Sequence, residues 1–347
     1  MKKWLLLILV LLQFACARYC AAEDNTLVVF SARKQPLIEP VISLFEQQTG
    51  VKVVLKAGKS GALAQQILHE LTAPSADVFI AKESGALEYL QSNGAFASYS
   101  SEATAKIPSY FKAQDGSWIG ISGRSRAIIY NKDLIDESAV PKTLDALTDT
   151  KYAGKIAAVN SGNESLVAWV SALRIKLGDE KTKDILLKLK NNDIALLSDS
   201  HTDVRKAVGR GEYAMGLINH YYYHLQKNET DPSLRNVGIV YLDQQPGGRG
   251  EIVNVCGAGI IKNAANRRNA EQFIDFLVSP DAQKLFAEVN FEYPLLPAVE
   301  THPEVLESLN APGTSALEAV RIMEIEIDRL GAELEKTRAL LEEVQWR

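Results

Sequence analysis

The residues best suited to chemistry are three consecutive tyrosines, Tyr221, Tyr222 and Tyr223, which His220 and His224 flank. Neighbouring side chains on a helix or a strand point in different directions, so one hydrophobic core cannot accommodate all three rings. A phenolate is a hard anionic oxygen donor that suits a hard trivalent cation such as Fe(III), and metal binding displaces the phenol proton. The segment therefore indicates a ferric site, with an aromatic surface patch as the alternative.

The two histidines are four residues apart, a spacing that two zinc ligands on one helix would also have. The neighbouring sequence offers neither a third ligand nor a glutamate base, so zinc is disfavoured. The sequence also lacks a Gly-x-Ser-x-Gly nucleophile motif and a phosphate-binding P-loop. We therefore expect a binding protein and not an enzyme.

Eight short runs rich in β-branched and apolar residues are typical of strands, and they alternate with segments of helical periodicity. This alternation predicts an α/β fold in which helices flank mixed or mostly parallel sheets. Ligands of such sheets bind beyond the carboxyl ends of the strands, where loops meet helix N-termini. The predicted strands are residues 27–30, 51–55, 77–80, 127–130, 156–159, 194–197, 215–218 and 238–241.

The composition is that of a folded, mildly acidic protein. A hydrophobic content of 46% over 347 residues is enough for two lobes with real cores, which excludes a mostly disordered chain. The formal net charge of −5 does not favour nucleic-acid binding, which requires a basic face. Three cysteines are too few for a disulfide scaffold.

The N-terminus has the pattern of a secretory signal peptide. Lys2 and Lys3 precede an apolar run over residues 4–12, which is too short to span a bilayer, since a span needs roughly 20 residues. Small residues follow, and cleavage after Ala22 or Ala17 fits them. The pattern predicts export to the periplasm with residues 1–22 removed; lipid attachment at Cys16 is the alternative.

Several motifs spread along the chain resemble the periplasmic ferric-ion-binding proteins of bacterial ABC importers. The similarity runs from about residue 25 to residue 297 with its order intact, so the joint match is more specific than any single motif. The segments that carry it are Phe30-Ser31-Ala32-Arg33, residues 45–53, Trp118 to Arg126, residues 207–212, Gly216 to Tyr223, residues 254–259 and residues 273–280.

The resemblance implies a two-lobed solute-binding protein with its ligand in the cleft between the lobes. Tyr221 and Tyr222 match the two adjacent tyrosines that ligate iron in that family. Asn219 and Ser161 match positions that help to hold a synergistic anion, phosphate or carbonate, beside the metal. Arg126 and Arg33 are further anion candidates, because a guanidinium fork suits oxyanions, with a surface or interlobe salt bridge as the alternative for each.

The sequence departs from the family pattern at two ligand positions. Lys34 and Gln35 stand where family members place a His or Tyr ligand, and neither is a good ligand for Fe(III). The family glutamate aligns near Lys82 or Glu83, so Glu83 is the candidate third ligand. These departures leave open a second interpretation, in which the same scaffold binds a small anion or an organophosphonate.

The family's chain crosses between the lobes near residues 121–128 and 252–260 of this sequence. The resemblance therefore implies an N-terminal lobe of residues 23–124 and 256–310, and a C-terminal lobe of residues 125–255. It also implies an inner-membrane ABC permease as the partner that receives the iron.

In the tail, residues 311–347, eight mostly apolar residues follow one another at alternate steps of three and four positions. This spacing predicts an amphipathic C-terminal helix. The simpler expectation is a monomer in which this helix packs on the N-terminal lobe. The alternatives are self-association through the helix, or an interaction protein with a vestigial cleft. The stripe consists of Val320, Met323, Ile327, Leu330, Leu334, Thr337, Leu341 and Val344.

Overall fold

The computed structural model describes residues 25–311, 313–323, 325 and 327–347. The expected signal peptide, residues 1–22, and Cys16 lie outside the described residues. Within the described part of the chain, no helix has both the length and the apolar character needed to cross a membrane.

In the part of the chain that the structure describes, ten strands form two sheets that share one long strand, β5. Each of the eight predicted strands overlaps an observed one, whereas β4, β10 and the first half of β5 were not predicted as strands. The strands are β1 Thr26–Ser31, β2 Lys52–Ala57, β3 Val78–Ala81, β4 Phe96–Ala97, β5 Ile119–Asn131, β6 Ile156–Ala158, β7 Ala195–Leu196, β8 Met215–Asn219, β9 Val237–Val240 and β10 Val253–Ile261.

The strand order is β2-β1-β3-β10-β5-β8-β6-β7, with β4 beside β10 and β9 beside β5. Residues 119–125 of β5 pair antiparallel with β10, and residues 126–130 pair antiparallel with β8. The N-terminal lobe contains β1 to β4, β10 and the first part of β5. The C-terminal lobe contains β6 to β9 and the rest of β5. Both contain parallel pairs, β1 with β2 and β3, and β6 with β7 and β8. The predicted mixed α/β architecture is confirmed, and β5 changes sheets between Ser125 and Arg126.

Helices cover both sheets, and several end or begin at residues that the sequence marks. Gly50 ends the first helix with φ of +74°, a left-handed conformation that glycine adopts without strain. The helices are α1 Gln35–Thr49, α2 Ser60–His69, α3 Ser84–Ser92, α4 Glu102–Ala105, α5 Leu144–Leu147, α6 Glu164–Leu177, α7 Asp179–Asn191, α8 His201–Gly209, α9 Tyr221–Lys227, α10 Arg267–Leu277, α11 Pro280–Asn290, α12 Pro303–Ser308, α13 Ala316–Ala319 and α14 Leu334–Glu343.

The carboxyl ends of parallel strands from both lobes face a common cleft. β1 leads into α1 and β3 leads into α3 on one side, while β6 leads towards α6 and β8 leads into α9 on the other. The start of α6 is fixed by Asn163, whose side chain accepts a hydrogen bond from the Leu166 amide at 2.9 Å. Helix N-termini and the loops before them therefore supply the side chains of the cleft.

The tail does not form the single amphipathic helix that the sequence predicted over residues 311–347. Its described residues form α13, a 3₁₀ turn at Ile327–Arg329 and α14. The stripe residues Val320, Met323, Leu330, Leu341 and Val344 are nevertheless buried within the chain's own fold. Contacts with several separate surfaces stabilise bends that an isolated helix would not have, so the spacing predicted which residues are buried but not their conformation.

The segment that follows the N-terminal lobe also differs from expectation. Residues 256–310 were assigned to that lobe, but α12 packs against α9 of the C-terminal lobe. Ser308 at its end is 3.0 Å from the Tyr241 hydroxyl, which lies just after β9. Nothing in the local sequence distinguishes the two lobes as packing partners for such a short helix.

Candidate metal centre

A cleft of about 260 Å³ lies between the two lobes. The N-terminal side contributes a mainly cationic wall, and the C-terminal side contributes tyrosines, an imidazole and polar groups. Its lining residues are Arg33, Lys34, Leu37, Lys82, Arg124 and Glu292 on the first side, and Asn163, Glu164, Ser165, Asp199, Ser200, His201, Asn219, Tyr221 and Tyr222 on the second.

Two of the three consecutive tyrosines face this cleft. Tyr221 and Tyr222 begin α9 directly after β8, and their ring centroids are 4.4 Å apart. Tyr223 lies further round the helix and lines a different cavity together with Glu304 and Glu307. The rotation of about 100° per residue along a helix separates the third phenol from the first two.

The phenol of Tyr221 is held in its protonated form in the free protein. Burial raises its pKa well above the ordinary value, and Tyr222 adds to the rise, while Arg124 opposes it. A cation that binds the Tyr221 oxygen must therefore displace its proton, so the affinity for the cation rises with pH. A highly charged, hard cation can do this where a weaker Lewis acid cannot.

The histidines beside the tyrosines have structural roles. His220 accepts a hydrogen bond from the Ser125 amide at Nδ1, at 3.2 Å, and donates one from Nε2 to the Phe291 carbonyl, at 2.8 Å. Burial lowers its pKa to about 4. His224 stacks on Phe291 with a centroid distance of 5.2 Å. Within the described ranges, no group of three or more His, Cys, Asp or Glu side chains could hold a metal ion.

The cationic wall is organised by a buried carboxylate that the sequence gave no reason to single out. Glu292 lies between Arg33 and Arg124, with N–O distances of 2.8 Å and 3.4 Å. Ser122 accepts a further hydrogen bond from Arg33 at 3.2 Å. Although burial opposes it, the two guanidinium groups hold the pKa of Glu292 below its usual range. The cluster carries one net positive charge and has guanidinium groups at the cleft, an arrangement suited to an oxyanion.

Arg33, a candidate for anion binding, lines the cleft and is also in a buried salt bridge. Arg124, which lies in the same motif as Arg126, was not singled out from the sequence. Alternate residues of a strand point to the same face of the sheet. The strand pattern therefore treats residues 124 and 126 alike, and the sequence alone could not choose between them.

Arg126 lies behind the cleft wall and not on it. Its guanidinium donates to the Ser165 carbonyl at 2.8 Å and to His201 Nε2 at 3.1 Å. Burial lowers its pKa to about 10, so it stays charged at neutral pH. Since a guanidinium only donates, Nε2 of His201 must be an acceptor and its imidazole must be neutral. Burial and Arg126 both lower the pKa of His201, in agreement with this. Arg126 thus orients two residues, Ser165 and His201, that line the cleft.

The other predicted site residues are divided between the cleft and its surroundings. Asn219 lines the cleft, and its amide lies 3.4 Å from Ser165 Oγ. Ser161 is not a lining residue, and its backbone amide donates to the Trp346 carbonyl at 3.0 Å. Lys34 lines the cleft, whereas Gln35 hydrogen bonds to Glu39 on the surface.

Glu83 occupies a neighbouring cavity together with Ser60, Glu164 and Leu334. Burial raises the pKa of Glu83 to about 7, and Glu164 adds to the rise. It is not among the residues that line the cleft with the tyrosines. The family resemblance made Glu83 a candidate ligand, but the local sequence could not give the direction of its side chain.

Polar contacts join the two lobes at the cleft. Glu164, the first residue of α6, accepts a hydrogen bond from Ser60 at 2.9 Å and lies 3.3 Å from the ammonium of Lys82. Lys59 and Asp199 form a more exposed ion pair at 3.6 Å. These contacts hold the lobes together in a closed arrangement, with the tyrosines opposite the cationic wall.

Residues 41–312 match the family described as bacterial extracellular solute-binding protein. Iron uptake protein A1 of Synechocystis is 30% identical over 94% of this chain and 88% of its own length. The Fe(3+)-binding periplasmic protein of Serratia marcescens is 28% identical over 90% of this chain and 93% of its own length. The solved structure of the Trichodesmium protein IdiA (FutA), in complex with iron and citrate, has a TM-score of 0.80 and 30% identity, covering 93% of this chain and all of that one.

Proposed function

Because the chain belongs to the bacterial extracellular solute-binding protein family, we propose that it binds ferric iron in the cleft and delivers it to an inner-membrane ABC permease. The observation that carries the proposal is the pair of adjacent phenols, Tyr221 and Tyr222, opposite a cationic wall. The protein performs no bond-making chemistry in this role. Its work is closure of two lobes on a ligand that both contact.

The two tyrosinates supply hard anionic oxygens, and an exogenous anion completes the coordination together with water. Arg33 and Arg124 hold that anion from the N-terminal side, and Asn219 and Ser165 hold it from the C-terminal side. Phosphate, carbonate and citrate all have oxygen atoms that suit such a site. A bound citrate accompanies iron in the Trichodesmium relative. Glu83 and Arg126 support the cleft from behind, and Ser161 anchors the loop before α6.

The family and the predicted signal peptide support a mature protein that begins after residue 22 and works in the periplasm. The N-terminal lobe would comprise residues 23–124 with 256–302, and the C-terminal lobe residues 125–255. We expect a monomer, because the tail buries its apolar stripe within its own chain.

A second candidate is a metal-free oxyanion binder on the same scaffold. Four cationic side chains, Arg33, Lys34, Lys82 and Arg124, line the cleft and favour an anionic ligand. A relative named as a putative 2-aminoethylphosphonate-binding protein of Salmonella typhi is 23% identical over 80% of this chain and 78% of its own length. The tyrosine pair favours iron over this candidate.

The deciding experiment is a visible-absorbance titration of metal-stripped mature protein with ferric citrate, with and without added phosphate or bicarbonate. We expect a saturable tyrosinate-to-iron band at one equivalent. The Tyr221→Phe/Tyr222→Phe double variant should lose the band, and Tyr223→Phe, whose ring lies outside the cleft, should keep it. Absence of a band under every anion would refute iron binding; stabilisation of the protein by phosphate or a phosphonate alone would then favour the second candidate.

A further inference from the structure

The last part of the chain is anchored on the C-terminal lobe. Helix α14 packs along α6, and Thr337 lies 2.8 Å from both Ser171 and Arg174 of that helix. Arg174 also forms an ion pair with Glu333 at 3.1 Å. Trp346 is fully buried and donates from its indole to the Val159 carbonyl at 3.1 Å. This anchor combines a large buried aromatic ring with a polar network.

The preceding turn is attached to the N-terminal lobe instead. The 3₁₀ turn Ile327–Arg329 packs on α3, and the Gly331 amide donates to the Glu88 carboxylate of the same helix. Leu334 approaches α3 so closely that a Cβ added at Gly85 would lie 3.1 Å from it. This second anchor is smaller and combines a hydrogen bond to a carboxylate with apolar contact.

The two anchored helices are the ones that begin at opposite sides of the cleft. Lys82, just before α3, and Glu164, at the start of α6, are in contact across it at 3.3 Å. Any separation of the lobes that breaks this contact also moves α3 away from α6. Residues 327–347, here called the strap, span that separation and must lose one anchor when the lobes part.

The strap also touches the loop that enters the site. Val159 and Ser161, which precede the cleft residues Asn163 and Ser165, both hydrogen bond to Trp346. The position of this loop therefore depends on docking of the strap.

We propose that the strap is a closure element, which stabilises the closed arrangement of the lobes and slows ligand release. Its docking surface on α3 and α6 together exists only when the lobes are closed, so docking favours that state by its differential free energy. On opening, the smaller contact with α3 is lost while Trp346 keeps the strap on α6. The part of the proposal that concerns iron release rests on the proposed function; the part that concerns lobe closure does not.

The test uses the mature chain with spin labels at Val54→Cys and Leu187→Cys, two exposed positions on different lobes; Cys256 is buried. The strap variant is Leu330→Ala with Leu334→Ala, which shortens two apolar side chains of the strap: one next to Gly331, whose amide donates to Glu88, and one beside Gly85 of α3. The matched control is Leu277→Ala with Leu44→Ala, another buried and half-buried pair, located in the N-terminal lobe on α10 and α1.

We expect the ligand-free strap variant to shift its inter-label distances to longer values, and the control to match the unsubstituted protein. Protein loaded with ferric citrate should lose iron to a competing hydroxamate chelator about tenfold faster in the strap variant, a typical size for conformational coupling. Unchanged distances, or a release rate equal to that of the control, would overturn the proposal.

If no iron complex forms in the unsubstituted protein, the proposed function fails, and the distance measurement still decides the role of the strap. If the double variant does not fold, Leu334→Ala alone, at a half-buried position, provides the same two measurements.

Discussion

Glu292 is the residue whose removal should most disturb the cationic wall, since its carboxylate alone neutralises one of two buried guanidinium groups. Glu292→Gln should lower the free energy of unfolding by about 3 kcal/mol, because breaking a buried ion pair leaves an uncompensated charge. Thermal unfolding measures the loss, and Glu288→Gln, at an exposed position of α11, is the control. Phosphate should restore stability more in Glu292→Gln than in the unsubstituted protein, since both arginines then lack a counter-charge; equal effects of phosphate would contradict this.

Glu251 gives a pH-dependent prediction at a second buried carboxyl. Burial raises its pKa to about 8, from 4.5 in the unfolded chain. The folded protein binds this proton more tightly than the unfolded chain does. The contribution of Glu251 to the free energy of unfolding is therefore fully present below pH 4.5 and is lost as the pH rises through 8. Glu251→Gln removes the titration, so the variant should gain stability relative to the unsubstituted protein by about 4 kcal/mol between pH 4.5 and 9. Urea unfolding of both proteins at a series of pH values measures the gain; a difference independent of pH would refute the assignment.

At the scale of elements, β10 must lie close to its neighbours to join the N-terminal sheet to β5. A Cβ at Gly257 would lie 2.5 Å from Leu87 and 2.9 Å from the Ile119 carbonyl. Gly257→Ala should therefore destabilise the protein by about 2 kcal/mol through overpacking. Gly61→Ala is the matched control, because no atom lies within 4 Å of the added group and alanine favours the helix α2. Thermal unfolding compares the two, and equal melting temperatures would contradict the predicted crowding.

The elements themselves were largely predictable from the sequence, whereas their partners were not. The runs at 27–30, 77–80 and 215–218 overlap strands because short β-branched segments favour extended backbone wherever they pack. β10 was missed as a strand because its small and apolar residues have no clear alternation, since both of its faces are buried. The tail kept its pattern of buried residues but is not one continuous helix, because contacts with two lobes outweigh local propensity.

At the scale of the whole molecule, closure should depend more on Glu164 than on the exposed ion pair beside it. Glu164→Ala removes the hydrogen bond from Ser60 and the partly exposed ion pair with Lys82 across the cleft. The hydrogen bond to a charged group contributes about 1.5 kcal/mol, which corresponds to about tenfold in an equilibrium constant. We expect about tenfold weaker binding of ferric citrate and a larger radius of gyration of the ligand-free protein. Lys59→Ala should change neither measurably, because Lys59 does not line the cleft and both partners of its ion pair with Asp199 are exposed. Titration and small-angle X-ray scattering provide the two measurements, and equal effects of both variants would contradict the prediction.

The sequence by itself determined the α/β class, the approximate strand positions and the run of three tyrosines as candidate ligands. These features follow from local periodicity and from residue types whose chemistry is independent of the rest of the chain. The family resemblance added the two-lobed architecture, which the structure and its relatives confirm.

Only the tertiary structure decided which polar groups share the cleft. Glu292 meets Arg33 across more than 250 residues of sequence, and Trp346 meets Val159 across 187. No local pattern encodes such contacts, because they depend on how two sheets are joined through β5 and on where the chain turns back. For the same reason Arg124 could not be distinguished from Arg126, nor the direction of Glu83 foreseen, until both lobes were in place.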